Sequence, residues 1–352
     1  MSIAVTSTLP GTSSAEGAQS SDSPSIDLAG GSVTAASGAP GLQAAGADVR
    51  IERLNTASAR RVIEPDVEIP GRPRTLAEGP VLPRELLSIH GLGIELTDEQ
   101  AAVLAREELA SFTNMGLRFE AVLMAGFCLQ LSVAPDLTDP RAVYSLHEVG
   151  EETRHSRLFS RMLSELAPTA VNPLDKPIFR ALQMWAQSHI IKRPALLDVL
   201  ILAGEEIPDL FQKRAAEHPD TDPFVKAVSK YHRQEEARHL AFARITVAEH
   251  WARASRLERF LVRRVAPLVV ADMFRMTVHP GVYATVGLPS WDTWKKVNAS
   301  PPRLAFRYEA CGGVLKALLE AGVLRKGRIP LAWRKLCGVD RHGRPVGTAV
   351  TV

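Results

Sequence analysis

The sequence writes EETRH at residues 151–155 and EEARH at residues 235–239, four letters of five in common and 235 − 151 = 84 residues apart. In each copy the second glutamate and the histidine are three residues apart, Glu152 with His155 and Glu236 with His239. On a helix, positions i and i+3 share a face, roughly 5–6 Å apart at Cβ. That spacing lets a carboxylate oxygen and an imidazole nitrogen reach one metal ion. A Glu-x-x-His pair by itself is weak evidence, because a chain with ten histidines is expected to contain about one by chance at ordinary Glu frequency.

The segments upstream of each copy strengthen the signal. Glu120 lies 152 − 120 = 32 residues before Glu152, within the apolar run LRFEAVLMAGF, and Glu205 lies 236 − 205 = 31 residues before Glu236, within VLILAGEEIPDLF. A carboxylate in such a run is expensive to bury unless it is paired or bound to metal. Periodicity alone leaves Glu206 open as an alternative to Glu205. The chain thus reads Glu, Glu-x-x-His, Glu, Glu-x-x-His, one set per helix, which is the interior arrangement of di-iron and di-manganese carboxylate bundles. Four carboxylates and two divalent ions balance in charge. His232, four residues before Glu236 and seven before His239, falls on the same helical stripe and could add a third imidazole. The matching position before Glu152 is Glu148, a weaker candidate for an additional ligand. Glu151 and Glu235 are placed to orient a histidine through its free N–H or to form ion pairs, and Arg154 and Arg238 to pair with them at i,i+3.

The flanking text predicts an all-α fold, a four-helix bundle with additional helices. Thr97 and Gln100 form a capping box ahead of a helix running to about Ser132. Asp139–Pro140 and Asp222–Pro223 read as N-cap and first helical residue of helices ending before Pro168 and near Arg253. Helices are also expected from about Pro177 to His189, from Pro194 to Glu217 with a kink at Pro208, over 257–278, and once after Pro301. Residues 1–48, rich in Ala, Gly, Ser, Thr and Pro, are expected to be disordered. Residues 49–96 are expected to form an extended, proline-containing arm, 97–280 the bundle, and 281–352 a helical and basic extension.

Composition excludes other classes. Net charge is +3 over 352 residues, too mild and dispersed to indicate nucleic-acid binding. No run of about 18 apolar residues suggests a membrane span, and the N-terminus has no signal-peptide pattern. Cys128, Cys311 and Cys337 are too scattered for a zinc site or disulfide framework, so a cytoplasmic setting is expected. Cys128, Trp185 and Trp251 are read as core residues, and Phe112 and Leu117 as candidates for a pocket wall.

The layout resembles the AurF-like p-aminobenzoate N-oxygenase family of ferritin-like di-iron enzymes, over about residues 97–280. The resemblance implies metal ligation by Glu120, Glu152, His155, Glu205, His232, Glu236 and His239, with His232 as the family's extra histidine. It also implies two iron ions per chain, with manganese as an alternative, dioxygen and a small-molecule amine as substrates, and an external electron donor. The family's contact to a substrate carboxylate finds no match here. A homodimer is one possible assembly; neither nucleic acid nor membrane is expected as a partner. Rival readings are a di-iron enzyme acting on C–H bonds by hydroxylation or desaturation, an iron-binding or storage protein, and a helical scaffold without metal.

Overall fold

The computed structural model describes residues 40–69 and 76–346, with side chains from residue 46. The expected disorder of the N-terminal segment therefore falls largely outside the described residues. Helices follow one another as α1 (Pro40–Arg60), α2 (Pro65–Glu68), α3 (Asp98–Ser132), α4 (Pro140–Leu166), α5 (Pro177–Ile190), α6 (Pro194–Glu217), α7 (Pro223–Arg253), α8 (Arg256–Arg264), α9 (Ala266–Met276), α10 (Gly281–Ala284), α11 (Ser290–Ala299), α12 (Pro301–Glu320) and α13 (Leu331–Cys337). No strand occurs among the described residues; a single antiparallel bridge joins Val339 and Pro345. The fold is all-α, as the sequence predicts.

Four long helices form the bundle: α3 packs along α4, α6 along α7, and the two pairs face each other. The passage from α4 to α6, carrying α5, is the long crossover expected of a ferritin-like bundle. Local chemistry sets the starts. Thr97 and Gln100 close a reciprocal capping box on α3. The Asp139 and Asp222 side chains accept backbone N–H groups at the starts of α4 and α7, each followed by Pro. Helix α6 continues through Pro208.

Two apolar clusters lie toward opposite ends of the bundle. One gathers Leu123, Phe127, Tyr144, the α6 run from Ala195 to Ala203, Leu240 and Phe242 with residues of α9, α12 and α13. The other gathers Leu104, Leu109, Leu158, Met162, Phe224, Val228 and residues of the 63–89 segment. On α3, α4 and α7 the change from one cluster to the other falls at Glu120, at 148–155 and at 232–239. The ionisable layer is thus sandwiched between two hydrophobic blocks.

Several expectations need correction. Residues 40–60 form a helix, not a disordered tail running into an extended arm. Among its described side chains, from residue 46 on, Ile51, Asn55 and Ser58 form the buried stripe of α1, and a single apolar residue in it is too sparse a period to read. The expected helix at 257–278 breaks at Val265 into α8 and α9, and α11 and α13 were not foreseen. In the basic C-terminal extension Arg325, Lys326 and Arg328 are exposed, while Leu324, Ile329, Trp333 and Leu336 are buried, and the Trp333 indole N–H donates to the Val262 carbonyl at 3.1 Å. Cys128 and Trp185 are exposed rather than core, while Trp251 is buried. None of the residues of α5 is buried; Ile178, Leu182, Met184 and Trp185 all face outward. Helix α3 is long and apolar enough, by length and composition, to cross a bilayer, and 22% of its most apolar window is buried. In this bundle it carries the buried Glu107, Glu108 and Glu120.

Two stability measurements test this packing. Trp333→Ala should cost about 3–5 kcal/mol, because a fully buried indole leaves a cavity; an unchanged melting temperature would mean that the C-terminal segment is not part of the core. Burial pushes the Glu108 carboxyl up to about 7 against the hydrogen bonds it accepts from Ser88. A carboxyl raised in the folded state stabilises most below its ordinary value of 4.5, and that contribution falls as pH rises toward 7. Glu108→Gln should therefore flatten the decline of melting temperature between those two values.

Candidate metal centre

The seven residues singled out in the sequence converge from four helices. Glu120 comes from α3, Glu152 and His155 from α4, Glu205 from α6, and His232, Glu236 and His239 from α7; none is more than 4% exposed. Glu205, not Glu206, joins the cluster, since Glu206 pairs with Arg244 away from it.

Their atoms define two facing half-sites. The Nδ1 of His155 lies 3.3 Å from both Glu152 Oε2 and Glu236 Oε1. The Nδ1 of His239 lies 3.1 Å from both Glu152 Oε1 and Glu236 Oε2. Each of these two carboxylates therefore offers one oxygen to each histidine, the arrangement of a bridge. His232 adds Nε2 to the His155 side, 3.4 Å from Glu236 Oε1 and 3.5 Å from Glu120 Oε1. Glu205 lies within ligand reach of His232 and Glu236.

The outward nitrogens are occupied. His155 Nε2–H donates to Glu235 at 3.0 Å, and His239 Nε2–H to Glu151 at 2.8 Å. His232 Nδ1–H donates to Gln212 at 2.9 Å. In the neutral imidazoles this leaves a lone pair on each inward nitrogen. Opposite those nitrogens, Glu120 Oε1, Glu152 Oε1 and Glu236 Oε1 are buried without a hydrogen bond. With the imidazoles neutral, lone pair faces lone pair, and the repulsion is relieved either by a proton on the inward nitrogen or by a cation between the groups. Two ligands at right angles on an ion with bonds of about 2.1 Å stand about 3.0 Å apart, and the observed separations of 3.1–3.5 Å lie within about half an ångström of that. The donor set, carboxylate and imidazole without sulfur, suits iron or manganese. The residues therefore fit a pair of divalent ions.

The electrostatics tell the same story. Burial pulls the His155 and His239 imidazoles down, but the surrounding carboxylates outweigh it and hold both well above their usual range. Burial raises Glu205, and repulsion from Glu236 and Glu152 adds to it. Burial would also raise Glu236, but His239 and His232 hold it well below the usual range. These are the mutual shifts of a dense acid–base cluster that lacks internal charge balance.

Around it the two repeats exchange partners. Glu235 on α7 supports the α4 histidine, and Glu151 on α4 supports the α7 histidine. Arg238 Nη2 donates to Glu151 at 2.8 Å, and Arg154 Nη2 to Glu235 at 3.3 Å. The arginines were expected to pair within their own helices; a within-helix contact remains only as a longer Arg238–Glu235 approach at 3.5 Å. The crossed pattern follows from the antiparallel helix pair, which brings each pentapeptide against the other. Although burial opposes it, His239 and Arg238 push Glu151 down to about 2. Helix α1 reaches this shell too, through the hydrogen bond from Arg238 Nε to Ser58 Oγ at 3.1 Å.

Three contributors escaped the sequence reading. Ser156 Oγ donates to Glu120 Oε2 at 2.7 Å, and nothing in the sequence marks it. Gln212 lies 212 − 205 = 7 residues after Glu205, on the same helix face, a spacing that could have found it. Gly204 precedes Glu205, and a Cβ there would lie 1.9 Å from the ring of Phe119, the neighbour of Glu120. The glycine lets α3 and α6 approach with the two single carboxylates abreast.

A narrow cavity of about 30 Å³ abuts the cluster, with Glu120, Glu205 and His232 in its wall. Phe112, Met115, Phe119, Phe159 and Phe211 form much of its apolar lining; Leu117 is not among them. Its volume corresponds to about one water molecule.

A helical bundle holding two linked carboxylate–histidine half-sites has the donor arrangement of di-metal carboxylate bundles. Residues 45–322 match the family model of p-aminobenzoate N-oxygenase AurF, and the chain belongs to that family. It is also 28% identical over 176 residues to uncharacterized proteins of Mycobacterium bovis and Mycobacterium tuberculosis, a match covering 49% of this chain and 50% of theirs. The chain thus spans about half the length of the curated relatives it matches.

Gly204→Ala tests the helix spacing. It should lower stability by about 1–3 kcal/mol through overpacking, and Phe119→Leu in the same chain should restore part of the loss; equal melting of Gly204→Ala and wild type would refute the close-approach argument.

Proposed function

We propose that the chain is a di-iron oxygenase that transfers oxygen to the nitrogen of an arylamine-like substrate, using Glu120, Glu152, His155, Glu205, His232, Glu236 and His239 as metal ligands. The observation that carries this reading is the set of buried, hydrogen-bond-free carboxylate oxygens facing inward imidazole nitrogens at 3.1–3.5 Å. Family membership supports an oxygenase reaction, and the family's description favours nitrogen as the atom oxidised. Iron, when bound, supplies the redox chemistry that dioxygen activation needs.

The chain's own residues supply the rest. Glu152 and Glu236, which each offer one oxygen to both His155 and His239, would hold the two ions, and Glu235, Glu151 and Gln212 hold the imidazole rings in register. The two hydrophobic blocks keep bulk water away from the layer between them. The Phe- and Met-rich cavity suits an aromatic ring. In its present volume it admits a molecule the size of dioxygen, so an arylamine needs side-chain movement, most simply of the partly exposed Phe112 and Phe211. Among the described lining residues there is no Lys or Arg to pair with a substrate carboxylate, which favours a neutral arylamine over an aminobenzoate.

In the balanced reaction one oxygen atom of dioxygen becomes the hydroxyl of a hydroxylamine. The other leaves as water, consuming two protons and two electrons from an external donor. A cytoplasmic location and assembly as a homodimer belong to the same reading. The outward apolar side chains of α5 support the second point, since a twofold contact needs only one self-complementary face.

Protein purified from iron-supplemented cells, without a histidine tag, should contain about two irons per chain. Glu236→Ala and His232→Ala should contain less, and chelation should lower the melting temperature of the wild type. Iron content near zero in folded, reconstituted protein would sink the proposal. With iron bound, reductant and ¹⁸O₂ should add labelled oxygen to an aniline-type amine; label appearing only at carbon would instead favour the C–H hydroxylase reading.

A further inference from the structure

The two bundle halves differ at one position in the ionisable layer. His232 stands four residues before Glu236 on α7, and Glu148 stands four before Glu152 on α4. Glu148 is 0% exposed, and neither of its carboxylate oxygens receives a hydrogen bond. Its oxygen lies within 4.8 Å of a Glu152 oxygen and a His239 nitrogen, all three mutually within reach of one ion.

The donors around the two inward histidines are unequal without it. The His155 side has His232 and Glu120 in addition to the shared Glu152 and Glu236. The His239 side has the same two shared carboxylates and no second imidazole. Glu205 approaches through Glu236 and His232. A buried carboxylate with both oxygens free of donors costs several kcal/mol unless a cation or proton compensates it.

Resting on the di-metal reading above, we propose that Glu148 is a further ligand, to the ion held by His239, and occupies there the place that His232 takes beside His155. The pair would then be chemically unequal: one ion with two imidazoles, the other with one imidazole and an additional carboxylate. The carboxylate-richer side is the harder one and should favour manganese or iron over softer ions.

The test is a manganese(II) titration of the metal-free full-length chain, read by bound metal per chain and by electron paramagnetic resonance. Wild type should bind two ions and give the spectrum of an interacting pair. Glu148→Gln, close in shape and uncharged, should keep its helicity and bind one ion normally and the second about tenfold or more weakly, in line with the loss of a metal-site partner. At one equivalent it should give the spectrum of isolated ions. Glu148→Met, of similar size and without oxygen, should behave alike. Normal binding of two ions by both variants would overturn the proposal while leaving the di-metal reading intact. Failure of the wild type to bind manganese or iron would overturn both. A manganese-loaded wild-type crystal decides the matter without any variant: anomalous scattering should place an ion within bonding distance of Glu148, and an ion beyond 3.5 Å would refute the assignment.

Discussion

The interior of this bundle is organised by an unfavourable burial. Glu120, Glu152, Glu205 and Glu236 are withdrawn from water in one layer, with three histidines among them. In a low-dielectric interior such a layer is tolerable only if the charges are matched at close range. His155 and His239 do part of this, and the carboxylates around them hold both imidazoles well above their usual range. Two divalent ions would meet the same demand at fixed positions and without a proton equilibrium, which would couple metal binding to the integrity of the layer.

The outer shell shows the same principle in a form that needs no metal. Glu151 and Glu235 are each matched by an arginine and each hold the histidine of the opposite helix. Because every link crosses between α4 and α7, a shift of one helix against the other would disturb both half-sites together. The Phe119 ring over Gly204 performs a comparable task for α3 and α6. Precision at the centre therefore comes from contacts that bind nothing themselves.

The hydrophobic blocks above and below give the layer its dielectric setting. The block containing α12 and α13 is built partly from a C-terminal region whose sequence looks merely basic. Residues of the 63–89 segment complete the other block. Segments outside the four long helices thus act on the site indirectly, by excluding water from it.

The sequence by itself determined the all-α class, the helix starts at Thr97, Asp139 and Asp222, and six of the residues that meet at the centre, Glu120, Glu152, His155, His232, Glu236 and His239. Those features are local: caps act within one turn, and ligand spacing is written along single helices. Family likeness then linked the repeated pattern to oxygenase chemistry. Only the tertiary structure decided that Glu205 rather than Glu206 faces inward, that the arginine pairs cross between helices, and that Cys128 and Trp185 face outward. It alone showed α1 as a helix and Glu148 as a buried carboxylate without a hydrogen bond. These depend on how helices are rotated and stacked against one another. A pattern of 3.6-residue periodicity defines a stripe on each helix but not which neighbour that stripe will meet.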